Sequence, residues 1–228
     1  MPMKLVRKIV CSLTACGIAM LSIPFSAIPA DAAILYTLND GVLTIKSQGV
    51  IEKYSDGTKL PWYDESDQIT SIVLQDGVTG IGDSLFSGLT ALETVDFPAT
   101  LISIGTNSFR NCSSLKSINL PSSLISIDIG AFGNCTQLQS VTLSEGLESI
   151  GSWAFSYCSE LSEIQLPETL TELGSAAFYE CTSLTSITIP QNVTALNEFT
   201  FVACSALEDI TIEGELTYLG GGVFNGTK

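Results

Sequence analysis

Five cysteines keep a single spacing: Cys112, Cys135, Cys158, Cys181 and Cys204 each lie 23 residues from the next. Thiols can ligate a metal, act as nucleophiles or form disulfides. Metal sites need converging ligands, commonly as close Cys-x-x-Cys pairs, whereas here each thiol stands alone in its segment. Segments stacked about 5 Å apart would bring neighbouring cysteines within disulfide reach. The five are odd in number, however, and each sits in a column flanked by Leu and Phe. They read as buried free thiols serving as small hydrophobes, which in an exported protein suits a reducing habitat.

Carboxylates are the other chemical resource. Glu145/Glu148, Glu160/Glu163 and Glu168/Glu172 are candidate acid–base pairs of the kind glycoside hydrolysis needs. No apolar pocket or desolvating partner is evident to separate their pKa values. Histidine is absent, which removes the commonest general base and the commonest neutral metal ligand. The chain has 9 basic and 24 acidic residues, a formal charge of −15, which repels phosphate backbones and anionic lipid. Nucleic acid is therefore not an expected partner. Between Ser117 and Thr227 there are thirteen acidic residues and no basic one. A solvated face is the plain meaning, and docking of basic partners or calcium the sharper one, although no Asp-rich calcium loop is present. No catalytic residue, cofactor or metal site is expected.

The elements that carry these groups are set by a period. Phe86, Phe109, Phe132, Phe155, Phe178, Phe201 and Phe224 follow one another at 23 residues without insertion or deletion. Six residues after Phe comes a Leu (Leu92, Leu115, Leu138, Leu161, Leu184, Leu207), and nine after it a Val or Ile (Val95 to Ile210). Leu115-Lys116-Ser117-Ile118-Asn119-Leu120 alternates at its end as a short strand with one buried face does. Pro98, Pro121, Pro167 and Pro190 stand at the strand exit, where a missing amide donor costs least. The second half, as in Leu124-Ile125-Ser126-Ile127, is also extended, and an Ala-Phe pair then turns the chain. One unit cannot bury its own apolar side chains, so units must stack. The expectation is a β-rich solenoid with a parallel sheet on one face and little helix.

The motif Leu-x-x-Ile-x-Leu-Pro-x-x-Leu-x-x-Ile-Gly-x-x-Ala-Phe-x-x-Cys resembles the 23-residue BspA-like leucine-rich repeat of secreted and surface bacterial proteins. The resemblance covers Ile69 to Lys228, with departures at Leu89 in the Cys column, at Asp128 and Asn197 in the Gly column, and at Ser144 and Glu213 in the Pro column. It implies a leucine-rich-repeat array over 69–228 with seven strands and an incomplete last repeat. Residues 33–68 resemble the non-repetitive unit that often precedes such arrays and read as a cap. There Leu43-Thr44-Ile45 is a strand candidate behind an Asp40-Gly41 turn, and Trp62 is expected to be buried against the first repeat.

Residues 1–32 read as a signal peptide. Lys4, Arg7 and Lys8 precede an uncharged, mostly apolar run, and Ala30-Asp31-Ala32 suits cleavage after Ala32. A lipoprotein box at Cys16 and an uncleaved anchor stay open as alternatives. With the signal removed the protein is expected outside the cell, secreted or at the surface, and not spanning a membrane.

Two surfaces are candidates for contact. The strand positions facing outward are small and polar, and include Asn119, Thr142, Gln165, Thr188 and Thr211. They suit hydrogen bonding to an extended partner, or plain solvation, and lack aromatic platforms for sugars. Four aromatics lie off the core columns. Trp153 and Phe199 fall two residues before their repeat's Phe, Tyr157 two after and Tyr179 one after, so the turns bring them together across layers. The resemblance implies a non-catalytic module for binding a protein or surface ligand, or for cell-surface adhesion. The alternative is a glycan-binding or spacer module of a larger polysaccharide- or cell-wall-associated protein. The last repeat stops four residues after Phe224. That is expected either of a fragment of a longer chain or of an end covered by self-association.

Overall fold

The computed structural model describes residues 34–52 and 59–228; the signal reading of 1–32 lies outside them. The chain winds as a solenoid with two parallel sheets and a turn. β1 (Leu35–Asn39) and β2 (Val42–Lys46) open it as an antiparallel hairpin. Asp40 and Gly41 at its tip have φ of 48° and 80°, the left-handed pair that a two-residue hairpin loop requires. β3 (Gly49–Ile51) completes this first coil.

The first sheet then takes one short strand from each coil: β4 (Ser71–Leu74), β6 (Thr94–Asp96), β8 (Ser117–Asn119), β10 (Ser140–Thr142), β12 (Glu163–Ile164), β14 (Ser186–Ile189) and β16 (Asp209–Ile212). Its ladder is continuous from β2 through β4 to β6, from β8 to β12, and from β14 to β16. Between these lie the strands of a second sheet, β5 (Val78–Ile81), β7 (Ser103–Ile104), β9 (Ser126–Ile127), β11 (Ser149–Ile150), β13 (Glu172–Leu173), β15 (Ala195–Leu196) and β17 (Tyr218–Leu219). That ladder runs unbroken from β3 to β13 and resumes from β15 to β17. The sequence points to a sheet on one face; the extended second half of each repeat builds another beside it. Among the described residues the helical content is a single 3-10 stretch, Tyr63–Gln68.

Register follows the period. Ser117 pairs with Ser140 and Ile118 with Val141, each one repeat apart. The hairpin strand β2 pairs in parallel with β4, Leu43 opposite Ile72 and Ile45 opposite Leu74. The segment read as a cap thus continues both sheets, with β3 on β5. Leu43 and Ile45 are fully buried, as the first coil's apolar layer requires.

The core is a set of columns running the length of the solenoid. Its spine is aromatic: Trp62, Phe86, Phe109, Phe132, Phe155, Phe178, Phe201 and Phe224 stack in succession with ring centroids 5.3–5.8 Å apart. From Phe109 onward successive rings lie within 7° of parallel. Such pairs add about 0.5–1.5 kcal/mol each beyond the area they bury. Trp62 belongs to this spine and is 2% exposed, which rules out its indole as a ligand platform.

The five cysteines form a second column, free and buried. Each thiol donates to the carbonyl of the Phe in the preceding coil: Cys112 to Phe86, Cys135 to Phe109, Cys158 to Phe132, Cys181 to Phe155 and Cys204 to Phe178, at 3.1–3.4 Å. The same Phe109 carbonyl accepts the Cys112 amide of its own coil. A cysteine here fills a small apolar site and still satisfies a carbonyl between coils, a pairing of roles that Ala lacks. Burial pushes the Cys112 and Cys204 thiols up to about 12 and raises Cys135, Cys158 and Cys181 well above the usual value.

Three outcomes follow. Phe132→Ala removes one ring from the spine and is expected to cost about 3–5 kcal/mol in urea unfolding followed by circular dichroism. The cysteine column is expected to resist maleimide in the native protein and to label fully once denaturant is added, as peptide mapping would read out. Because the fold holds these thiols neutral while the unfolded chain ionises them near 9.0, stability is fully present below that pH. It falls as pH rises from about 9 toward about 12, by about 1.4 kcal/mol per pH unit for each thiol that ionises only on unfolding.

Candidate functional site

The turn that carries the Phe spine has a backbone unlike the sheets. Two residues before Phe, the column Ser84, Asn107, Gly130, Trp153, Ala176, Phe199 and Gly222 has positive φ at every coil, from 52° to 69°. Two residues after Phe, Gly88, Asn111, Asn134, Tyr157, Glu180, Ala203 and Gly226 are positive as well, from 56° to 81°. The reason lies in the amides. In the turn, the N–H groups at both columns and at Phe itself donate forward to the next coil, as Trp153 does to Ser175, Phe155 to Ala177 and Tyr157 to Tyr179, at 2.7–2.9 Å. The turn is therefore a third inter-coil ladder, and left-handed residues are what aim its amides along the axis.

Glycine and asparagine enter that region readily, and bulky side chains do so at a cost of roughly 1–2 kcal/mol each. Trp153, Tyr157 and Phe199 all occupy it, at φ of 62°, 60° and 62°. They are exposed, at 38%, 37% and 48%. Tyr179 is half-buried and joins them, its ring centroid 5.3 Å from those of both Trp153 and Tyr157. The three rings are inclined at 45° and 59°, so they present differently directed faces instead of one flat stack. Phe199 stands two coils from Trp153 in the same column, with buried Ala176 between them. Large and small residues alternate along this column, Gly130, Trp153, Ala176, Phe199, Gly222, and a Cβ built on Gly222 would come within 3.2 Å of the Phe199 ring.

Carboxylates flank the rings. Glu198 precedes Phe199 and accepts hydrogen bonds from Ser175 at 3.2 Å and from the Tyr218 hydroxyl. The Tyr218 bond holds the Glu198 carboxyl below its ordinary range and raises the phenol. Glu180 follows Tyr179; partial burial first, then the Glu180 charge and Tyr157, raise the Tyr179 phenol. Beside this face runs a groove of about 370 Å³ lined by Asp128, Gly151, Gly174 and Asn197, with Ser152 and Glu172 in its walls. Its floor is bare because a Cβ at Gly151 or Gly174 would meet the previous coil's backbone at 2.7 or 2.2 Å. Asp128 and Asn197, the departures in the Gly column, stand at its two ends. Partial burial, then the charge of Asp83, raise the Asp128 carboxyl.

The other candidates are placed more simply. Asn119, Thr142, Gln165, Thr188 and Thr211 lie exposed along the outer face of the first sheet, Thr142 opposite Asn119 and Thr188 opposite Thr211. Glu168 meets Glu145 and Glu213, not Glu172, and partial desolvation with their charges raises it. Glu160 accepts a hydrogen bond from Gln139 at 2.8 Å. No pair is enclosed as an acid and a base would need. No helix among the described residues is long and apolar enough to cross a membrane.

Residues 62–159 and 131–228 match the BspA-type leucine-rich-repeat region, in six copies. The chain belongs to that family. The match begins at Trp62, the residue that starts the aromatic spine. Among solved structures, the chain is similar to the leucine-rich-repeat protein TpLRR of T. pallidum, with 28% identity, a TM-score of 0.67, and coverage of 85% of this chain and 86% of that one. The pneumococcal vaccine antigen PcpA shares the fold at 19% identity and a TM-score of 0.53, over 85% of this chain and 66% of that one. A leucine-rich cell surface protein of Faecalibacterium prausnitzii A2-165 aligns at 22% identity and a TM-score of 0.49, over 85% and 72%. Among curated proteins, no sequence matches the chain.

The left-handed columns make a stability prediction. Ala203→Gly removes a Cβ from a position with φ of 57° and is expected to stabilise by about 1 kcal/mol in thermal or urea unfolding. Tyr157→Asn relieves similar strain but forfeits about 0.5–1.5 kcal/mol of ring contact. The two offset, so the variant is expected to melt within a few degrees of the parent.

Proposed function

We propose that this solenoid is an exported, non-catalytic module that binds a protein on another surface, and that the turn patch of Trp153, Tyr157, Tyr179 and Phe199 is its contact face. One observation carries the reading. Three large aromatics are kept exposed at positions whose backbone favours glycine or asparagine. Residues held against their conformational preference at solvent-facing positions cluster where something is bound. Trp and Tyr are also the side chains that dominate protein interfaces, because they bury a large rigid area at little entropic loss.

Family membership supports the module's character: stacked repeats give a rigid, extended surface whose outward positions vary without disturbing the core. The basic start, apolar run and Ala30-Asp31-Ala32 near the N-terminus support the export part of the reading. The first-sheet face, with Asn119, Thr142, Gln165, Thr188 and Thr211, is the secondary surface in this reading. Its small hydroxyls and amides are largely solvated.

The test is a binding screen of the purified protein on immobilised extracellular proteins and, in parallel, on glycans. Binding to proteins is expected, weakened about tenfold or more by Trp153→Asn with Tyr179→Ala and little changed by Thr142→Ala with Thr188→Ala. Binding confined to glycans, or protein binding indifferent to the aromatic pair, would overturn the assignment.

A further inference from the structure

We infer that the turn patch docks a lysine- or arginine-rich segment of its protein partner, the cationic side chains lying on the rings of Trp153, Tyr157 and Tyr179 between the carboxylates of Glu180 and Glu198. The inference rests on the patch being the protein-binding face and adds the chemistry of what it takes. Ring geometry is the first support. The Trp153 and Tyr157 centroids each lie 5.3 Å from that of Tyr179, with planes inclined to it at 45° and 59°, so the three rings offer several π faces to one small region. A cation is attracted to such a face when it lies within about 6 Å of the centroid. Guanidinium, planar and weakly hydrated, suits inclined aromatic walls better than ammonium.

Charge is the second support, and it is independent of the rings. The coils that bear the patch belong to the stretch from Ser117 to Thr227, with thirteen carboxylates and no Lys or Arg. A cationic partner would meet no Lys or Arg within that stretch; the flanking Arg110 is turned toward Asn107, one coil before Gly130. Glu198 is fixed in place by Ser175 and Tyr218, and Glu180 follows Tyr179 and interacts with its phenol. The groove continues the same character. Its wall residue Ser152 immediately precedes Trp153, and Asp128 and Glu172 line it. A segment leaving the rings would run into an acidic channel floored by Gly151 and Gly174. An acidic or purely apolar partner finds the reverse: rings ringed by repelling or unpaired carboxylates. The rings give such a segment its short-range hold, and the field of the flank steers it in.

The probe is a fluorescein-labelled deca-arginine peptide, with deca-lysine and deca-glutamate beside it, titrated with the whole purified protein and followed by anisotropy. Deca-arginine is expected to bind more tightly than deca-lysine, and deca-glutamate not at all. Trp153→Asn with Tyr179→Ala is expected to weaken deca-arginine binding by about tenfold. Glu180→Gln with Glu198→Gln, which removes no ring and keeps an acceptor oxygen at each position, is expected to weaken it by about fivefold. Glu163→Gln with Asp209→Asn, on the exposed first-sheet face, removes the same charge elsewhere and is expected to change it by less than about twofold. Circular dichroism melts of each variant verify that it is folded. Equal weakening by both carboxylate pairs would show diffuse attraction to an acidic solenoid and overturn the inference, as would absence of binding. Proteins found in the surface screen that bind through Trp153 and Tyr179 without a basic segment would overturn it too, while leaving the patch as the binding face.

Discussion

Everything in this molecule depends on one coil being able to lie on the next. A 23-residue unit has too few apolar side chains to enclose a core alone, and its strand amides and many of its turn amides find partners only in the adjacent coils. Stacking answers both needs together, but only if each coil has the same cross-section as its neighbours. The aromatic spine enforces this most strictly. A ring can stack at 5.3–5.8 Å on both neighbours only if the turn that carries it repeats its path. The path repeats because left-handed residues two before and two after Phe aim amides at the next coil. Amides just before the strands donate backward, as Gln139 does to Lys116 and Ile125 to Ile102, while Leu120 at the end of β8 donates forward to Thr142. Each coil is therefore tied to its neighbours by two sheets, a turn ladder, a ring stack and a line of thiols.

Side-chain type and backbone conformation were not equally legible in the sequence. The columns of Phe, Leu, Ile, Cys and Gly are recognisable by residue identity, so the solenoid, the first-sheet strands and the buried thiols could be read directly. The two left-handed columns could not. Ser84, Asn107, Gly130, Trp153, Ala176, Phe199 and Gly222 share a φ, and all but the last a forward hydrogen bond, but no chemistry of side chain, so no periodic signal marks them. The glycines and asparagines among them were the available clue. The hairpin's continuation of the first sheet was hidden for a different reason. Leu43 pairs with Ile72, 29 residues on, so a search at 23 residues passes over it. Trp62 was legible as a buried aromatic, but not as the first member of the Phe spine, because it lies 24 residues before Phe86.

The aromatic cluster was found from its spacing, and the structure altered what it means. Aromatics on a convex turn would by themselves be ordinary packing. Placed at φ near 60°, each carries a conformational cost that the solenoid does not need to bear, since Gly, Asn or Ala serves at the same positions in other coils. Contacts between rings return part of that cost for Tyr157 and Trp153 through Tyr179. Phe199 has less to gain, with Gly222 beside it and 48% of its surface in water. Stability alone would favour the small residue there.

This separation of tasks is what a solenoid makes available. The inward columns recur from coil to coil with few departures, such as Leu89 in the Cys column, because a change in one disturbs its neighbours. The outward positions are constrained only by φ and by the space left by adjacent coils, and the alternation Gly130, Trp153, Ala176, Phe199, Gly222 shows both limits respected. A large ring is accommodated where the next coil supplies a small residue. Binding character can therefore be written coil by coil on a frame that does not change. In this chain the aromatics and the uninterrupted acidic stretch occupy the same coils. Rings without the charge would attract apolar surfaces indiscriminately, and charge without the rings would attract any cation weakly. In the proposed reading, rings and carboxylates borne by the same coils combine a short-range hold with a long-range bias, the combination a selective surface requires.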